Sequence, residues 1–304
     1  MPFDLSLKAD VIEVENLTDE YFRKNYLLPK KPLLIKGLAN QQPAGKKWTI
    51  DFFRREMGSE IIEILNNEDK ANGSSYLKGN HKIQLKEFLD IIEKDEYTPL
   101  RMFAIKMFNR NPELKKDWTC PAFFRGILSG TGYFFMGGKD TKVHFHYDVD
   151  NNDGLLVHFY GKKRLILIEP KYSEFLYQLP FCSHSFVDLD NIDYEKYPGL
   201  HHVKGYEIIQ EAGDGVYIPA SYWHYNKYLS GGIAVSYRKL NHNLWRNVIA
   251  IGRIIFYLPL DKTLTWILKD HWKNFKIRQA EKQVNASIRR LKNEREPLTA
   301  VPTV

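Results

Sequence analysis

The chain has few cysteines and no long uninterrupted apolar run. Its 304 residues contain two cysteines, Cys120 and Cys182, whose spacing fits neither a disulfide framework nor a metal-binding motif. That scarcity predicts a reducing compartment, the cytoplasm, with both thiols buried. Residues 1–12 lack the apolar stretch of a secretory signal. The best apolar run, residues 248–260, is too short to cross a bilayer and contains Arg253, so we expect no membrane partner.

Acidic and basic residues nearly balance over most of the chain, which leaves one basic segment. Residues 261–304 hold ten Lys or Arg against five Asp or Glu, and so carry +5 of the total formal charge of +7. A basic tail can meet nucleic acid or can be the solvated face of a helix. Aromatic and basic residues are not interleaved here as they are in a base-stacking platform. We therefore expect a solvated helix face and no nucleic-acid partner.

Two histidines and a carboxylate form the most specific motif. His146-Tyr147-Asp148 is followed, 76 residues after Asp148, by Trp223-His224. Side chains at positions i and i+2 of an extended strand point to the same face, so His146 and Asp148 can hold one ion together. Two His and one carboxylate are the facial triad that binds Fe(II) and leaves positions open for a cosubstrate and O₂. We predict that His224 returns to this ion on a neighbouring strand.

A β-rich region lies at residues 131–240. Short runs of β-branched and aromatic residues alternate there with turns, which predicts a closed barrel or a sandwich. The predicted strands are 133–136, 155–159, 164–168, 216–218 and 233–237.

Helices are predicted on both sides of this region. Residues 1–130 are expected to form a mixed α/β region packed on the barrel, with helix caps at Thr18 and Thr49. Residues 66–80 are polar and rich in Gly and Asn, which predicts a loop.

The C-terminal region, residues 241–304, is expected to be a helical extension of this mainly β protein. Its apolar residues recur at helical spacing up to Pro259, and a second helical run follows to about Leu291.

A lysine is expected inside the barrel. Gly161-Lys162-Lys163-Arg164 lies at a turn that enters the strand 164–168. A buried lysine can bind the distal carboxylate of a dicarboxylate such as 2-oxoglutarate through a charge-assisted hydrogen bond.

The ordered motifs from His146 to Tyr237 resemble those of one known family. Besides the two histidine motifs, they are Gly161-Lys162-Lys163-Arg164, the run at 187–195, Gly213-Asp214 and Tyr217-Ile218-Pro219. Over roughly residues 10–240 the chain resembles the JmjC and cupin-like Fe(II)/2-oxoglutarate dioxygenases, and most of all the asparaginyl hydroxylases among them. The resemblance implies a double-stranded β-helix, or jelly-roll, core at residues 131–240.

The resemblance also implies roles for individual residues. His146, Asp148 and His224 would bind Fe(II), and Lys163 would bind 2-oxoglutarate, while Lys162 would face solvent. Three further residues are expected to contact the cosubstrate because they lie at or near positions where the family has Asn or Thr: Ser236, Asn152 and Thr141. Gly154 occupies one of those Asn positions, so Asn152 or its neighbour Asn151 is expected to substitute.

Two other histidines leave alternatives open. His144 has the same strand parity as His146 and could replace a ligand, although a position lining the pocket is the favoured interpretation. His158 lies on an apolar strand and is expected to be a hydrogen-bonded core residue.

The functional prediction is hydroxylation of a protein side chain with Fe(II) and 2-oxoglutarate, by a homodimer formed through the C-terminal helices. A small-molecule or nucleoside hydroxylase of the same class is the nearest alternative. A metal-binding cupin without catalysis, acting as a binding or regulatory module, is the alternative from a different class.

Overall fold

The computed structural model describes residues 3–67 and 81–295 of the chain. These residues form fourteen strands: β1 (Asp4–Leu7), β2 (Asp10–Glu13), β3 (Leu33–Lys36), β4 (Ile61–Asn66), β5 (His81–Gln84), β6 (Leu100–Ile105), β7 (Tyr133–Gly137), β8 (Lys142–His146), β9 (Asp153–Tyr160), β10 (Lys162–Ile168), β11 (Lys204–Glu211), β12 (Gly215–Ile218), β13 (Trp223–Tyr228) and β14 (Gly232–Lys239).

Eight α-helices accompany these strands in the same residues: α1 (Asp19–Phe22), α2 (Ala44–Lys47), α3 (Ile50–Met57), α4 (Leu85–Glu93), α5 (Met107–Arg110), α6 (Leu114–Asp117), α7 (Leu244–Gly252) and α8 (Leu258–Arg295). Two π-helical turns, Arg23–Leu27 and Arg253–Tyr257, follow α1 and α7, respectively.

The strands form two sheets that build the jelly-roll core. The small sheet has the order β1-β11-β10-β13-β8, and the large sheet has the order β2-β3-β12-β9-β14-β7-β6-β4-β5. Four strands of each sheet, β8, β10, β11 and β13 opposite β7, β9, β12 and β14, come from the region after residue 131. The predicted fold class, a mainly β double-stranded β-helix with flanking helices, is confirmed.

The N-terminal region extends the large sheet and covers its outer face. Strands β2 and β3 add to one edge, and β6, β4 and β5 add to the other. Trp48 packs against Phe159 and Phe134 of the sheet, with ring centroids 4.7 and 5.5 Å apart. This region and the barrel therefore share one hydrophobic core.

Both predicted helix caps are present. The Thr18 hydroxyl accepts a hydrogen bond from the Tyr21 N–H at the start of α1, and the Thr49 hydroxyl accepts one from the Phe52 N–H at the start of α3. The predicted loop at 66–80 falls largely outside the described residues, and Asn66 is the last residue of β4.

The C-terminal helices differ from the prediction at Pro259. The helix does not end there, because a π-turn precedes the proline and α8 continues through it. The chain bends instead at Lys269, whose φ of 45° and ψ of −122° are not helical. Beyond the bend, Val284 is buried against the barrel, where Ile288 and Leu291 join the same core. No described helix is both long enough and apolar enough to span a bilayer.

Candidate metal centre

Neighbouring strands of the small sheet bring the three predicted ligands together. His224 on β13 pairs directly with His146, the last residue of β8, and Asp148 lies two residues beyond the end of that strand. The register shifts by one residue just before this pair, because Asn226 lies opposite Val143 and not His144. This β-bulge changes which side chains of β8 face inward.

The three side chains have the geometry of a metal site. One donor atom from each of His146, Asp148 and His224 lies within 4.8 Å of the other two, and this is the only such group of three found in the described part of the chain. The Nε2 atom of His146 is 3.9 Å from Oδ1 of Asp148. The ligand positions implied by the sequence are therefore clustered in space.

Backbone carbonyls fix the orientation of both imidazoles. Nδ1 of His146 lies 2.7 Å from the carbonyl oxygen of His144, and Nδ1 of His224 lies 3.1 Å from that of Tyr222. Each Nδ1 must carry a proton to donate these hydrogen bonds, so each Nε2 keeps its lone pair. A metal-bound histidine usually donates its other ring N–H to an oxygen such as a backbone carbonyl, and this hydrogen bond fixes the orientation of the ring.

Electrostatics keep the three groups in the protonation states that a divalent metal requires. Burial, together with the nearby His224 and His184, lowers the pKa of His146 well below its usual value. Burial likewise lowers the pKa of His224. Burial alone would raise the pKa of Asp148, but the Arg238 guanidinium and the two imidazoles hold it at about 2. At neutral pH the set is two neutral imidazoles and one carboxylate, which fits Fe(II).

A buried carboxylate holds the segment that leads into His224. Asp153 accepts hydrogen bonds from the Lys30 ammonium at 2.7 Å, the Tyr217 hydroxyl at 2.8 Å and the Ala220 N–H at 2.9 Å. The carboxylate is almost completely buried and is fully paired. It links the N-terminal region to the turn that precedes β13, and so it positions the last ligand.

Lys163 lies inside the barrel, as strand parity predicted. On β10 it is four residues from Leu167, the residue that pairs with His224, so both face the same side of the sheet. The side chain is buried, with Nζ 4.2 Å from the ring centroid of Tyr228, and no carboxylate contacts it among residues 3–67 and 81–295. Burial lowers the pKa of Lys163 to about 7. Lys162, in contrast, is exposed and pairs with Glu211 at 3.0 Å.

The three other predicted cosubstrate contacts have different surroundings. Ser236 is buried on the inner face of β14, two residues from Arg238. Asn152 is buried just before β9, and its Oδ1 has no hydrogen-bond partner among the described residues. Thr141 donates its hydroxyl proton to the Thr98 carbonyl and also lies 3.2 Å from the Leu100 carbonyl. Its only hydroxyl donor is thus used within the fold, which disfavours the predicted contact to a cosubstrate.

The remaining histidines are not part of the donor cluster. The β-bulge separates His144 from the parity of His146, so the alternative ligand set is not formed. His158 is buried as expected, but the expectation that it is hydrogen-bonded was wrong, because neither ring nitrogen has a partner among the described residues. His184 was not predicted; its ring stacks on His146 at 5.3 Å, because a loop brings it to β8 in an isolated bridge.

A jelly-roll barrel that carries two histidines and a carboxylate at the end of its strands is the architecture of a cupin-type metal-binding protein. The sequence comparison agrees with this class. A family model described as cupin-like domain matches residues 18–238, which is more than half of the chain. The protein therefore belongs to the cupin-like domain family.

The chain is also similar to several characterised proteins. It is 26% identical over 234 residues to human tRNA wybutosine-synthesizing protein 5, a match covering 70% of this chain and 72% of that protein. It is 27% identical to Lysine-specific demethylase JMJ30 of Arabidopsis thaliana, covering 73% of this chain and 52% of the relative. JmjC domain-containing protein D of Dictyostelium discoideum is 28% identical, with 70% and 52% covered. The chain spans only about half the length of the last two relatives.

Proposed function

We propose that this protein is an Fe(II)- and 2-oxoglutarate-dependent oxygenase that hydroxylates its substrate. The observation that carries the proposal is the convergence of donor atoms from His146, Asp148 and His224 within 4.8 Å, each in the protonation state a ferrous ion needs. One relative of this chain is named for a JmjC domain and another is named as a lysine-specific demethylase, which supports the same class.

The residues of this chain have separate tasks in that reaction. His146, Asp148 and His224 would hold Fe(II), and Lys163 would bind the distal carboxylate of 2-oxoglutarate at the deep end of the barrel. When bound, iron and 2-oxoglutarate supply the oxidising chemistry by activating O₂, with release of succinate and CO₂. The apolar inner wall, which includes Leu165, excludes water from the cosubstrate.

For the substrate, we propose a protein side chain, as the resemblance to asparaginyl hydroxylases implies. A nucleoside in RNA is the second candidate, because a relative that is matched over 72% of its own length is named for tRNA wybutosine synthesis. The two candidates are tested by incubating the iron-loaded protein with 2-oxoglutarate and either a cell protein extract or purified total tRNA. A gain of one oxygen atom, mapped by mass spectrometry to a peptide or to a nucleoside, assigns the substrate class.

The alternative of a cupin without catalysis gives a different result in the same assay. An oxygenase releases succinate from 2-oxoglutarate when Fe(II) and O₂ are present, and the release depends on Asp148. If the iron-loaded protein forms no succinate with either substrate pool, the oxygenase proposal fails and a binding module is the better description. The Asp148→Ala variant is the control for succinate formed by free iron.

A further inference from the structure

An arginine is in direct contact with one of the three metal ligands. Arg238, on the inner face of β14, places Nη1 2.5 Å from Oδ2 of Asp148. The other carboxylate oxygen, Oδ1, is the one near His146. Arg238 thus engages one oxygen of Asp148 and leaves the other for an ion. Sequence reasoning did not identify Arg238, although its spacing of two residues from Ser236 placed it on the same strand face.

A glycine provides the space that this arginine occupies. Gly154 on β9 pairs with Arg238 across the sheet. A Cβ atom at Gly154 would lie 2.9 Å from Nη1 of Arg238, whereas its next nearest neighbours, both in Ile218, would be 3.8 Å away. A methyl group at position 154 would therefore press closely on the guanidinium alone. The guanidinium would have to shift from the position in which it contacts Asp148.

The guanidinium retains donors beyond the one used on Asp148. An arginine side chain has five N–H donors, and Asp148 is the only side chain that hydrogen-bonds or ion-pairs with Arg238 in the described part of the chain. The side chain of Arg238 is 21% exposed, so it is accessible to a ligand. Adjacent ligands of an octahedral ion with bonds of about 2.1 Å lie roughly 3 Å apart, so a ligand bound next to Asp148 would be within reach of the same guanidinium.

We propose that Arg238 is a carboxylate-binding, specificity-determining residue, and that Gly154 makes its position possible. Arg238 holds Asp148 as a one-oxygen ligand and hydrogen-bonds the carboxylate that a 2-oxo acid places on the metal beside its keto group. This rests on the proposed function, because that function supplies the 2-oxo acid. The barrel then has two cations for one dicarboxylate, with Arg238 beside the metal ligand Asp148 and Lys163 buried farther along β10.

Two ligands, oxalate and 2-oxoglutarate, distinguish the contribution of Arg238 from that of Lys163. Oxalate chelates a metal as the keto-acid end of 2-oxoglutarate does, but it has no distal carboxylate. Calorimetric titrations of Mn(II)-loaded protein with oxalate and with 2-oxoglutarate need no turnover. Arg238→Ala should weaken both ligands by about tenfold or more, the effect of losing one charge-assisted hydrogen bond. Lys163→Ala should weaken 2-oxoglutarate and leave oxalate unchanged. Arg238→Lys should restore part of the oxalate affinity.

Metal affinity and thermal unfolding, measured on the same variants, exclude a merely structural effect. Arg238→Ala removes the partner of a metal ligand, so its Mn(II) affinity should fall by about 10- to 100-fold, and the acids are therefore titrated at saturating Mn(II). Under that condition, an oxalate affinity equal to that of the wild-type protein would overturn the proposal, since Arg238 would then only orient Asp148. A wild-type protein that binds Mn(II) but neither acid would overturn both this inference and the cosubstrate assignment. A wild-type protein that releases succinate, together with an Arg238→Ala variant of unchanged oxalate affinity, would overturn this inference alone.

Gly154 is tested through a double-mutant cycle. Gly154→Ala should lower oxalate affinity in the wild-type background, because the added Cβ displaces the guanidinium, and should have no further effect in Arg238→Ala. An equal loss in both backgrounds would show that Gly154 does not act through Arg238.

Discussion

The inside of the barrel and the C-terminal helices differ in which side chains they bury. The barrel encloses polar and charged groups, among them His224 at 6% exposure and Lys163 at 3%. Along residues 245–275, in contrast, thirteen large apolar side chains are at least 38% exposed, including Trp245 at 75% and Trp266 at 80%. Both arrangements cost free energy in an isolated chain. The barrel buries polar and charged groups, and the helices expose apolar ones.

The comparison indicates what each region needs to bind. A buried lysine without a carboxylate partner has lost hydration, and an anionic ligand restores that lost interaction. An exposed apolar helix gains when another apolar surface covers it. The contrast therefore favours a small charged ligand for the barrel and a macromolecular surface for the helices.

Removing a metal ligand should have the largest effect. His146→Ala, Asp148→Ala or His224→Ala leaves two protein ligands, so Fe(II) affinity should fall by more than the ~10- to 100-fold that is typical of losing an outer-shell partner, and succinate release should stop. Anaerobic metal titration measures the affinity, and circular dichroism verifies the fold. His144→Ala is the matched control and should keep its metal. Full iron occupancy in any of the three ligand variants would refute the assigned triad.

The buried Asp153 should have the next largest effect, on stability. Asp153→Ala leaves the Lys30 ammonium, the Tyr217 hydroxyl and the Ala220 N–H without their shared acceptor. Breaking such a buried pair costs about 3 kcal/mol of unfolding free energy. Urea denaturation measures the loss. Glu113→Ala, in the exposed pair with Lys116, should change nothing measurable. Equal stability of the two variants would contradict the role of Asp153.

The sequence alone predicted the position of a side chain where strand alternation and a short motif together determine it. It predicted the barrel, the return of His224 opposite His146 and the inward position of Lys163, because alternation along a strand is a local property. It failed where the backbone departs from alternation: the β-bulge removes His144 from the ligand face. The contact between Arg238 and Asp148 joins distant strands, and only their register in the folded barrel reveals it.

The effect of replacing Lys163 should be confined to the cosubstrate. Lys163→Ala removes the cation buried inside the barrel, and truncating one partner of a buried charge pair costs on the order of 2–5 kcal/mol. The affinity for 2-oxoglutarate, measured on Mn(II)-loaded protein, should fall at least about tenfold. Lys162→Ala is the matched control, because Lys162 is exposed and should leave the affinity unchanged. Equal losses in both variants would exclude Lys163 as the specific contact.

The same lysine should make cosubstrate binding depend on pH. Burial lowers the pKa of Lys163 to about 7, so the free protein loses this proton above pH 7, and binding a carboxylate must recover it. Affinity for 2-oxoglutarate should be nearly constant below pH 7 and fall about tenfold for each pH unit above it. Calorimetry in two buffers of different ionisation enthalpy should detect the proton uptake. A Lys163→Met variant that keeps the same pH dependence would contradict the assignment.

Substitutions on the exposed helices should have the smallest effect on the chemistry, because we propose that these helices form a homodimer. Thirteen of their large apolar side chains are left exposed in the single chain, and a standard interface buries roughly 800 Å² per partner. A two-fold axis would pair the same patch of each copy. Ile251→Glu with Ile255→Glu should therefore convert a dimer into a monomer in analytical ultracentrifugation, with 2-oxoglutarate affinity retained. Ile127→Glu, at an exposed isoleucine outside the segment, should leave the dimer intact. If the wild-type protein sediments as a monomer at micromolar concentration, the helices must bind a different surface.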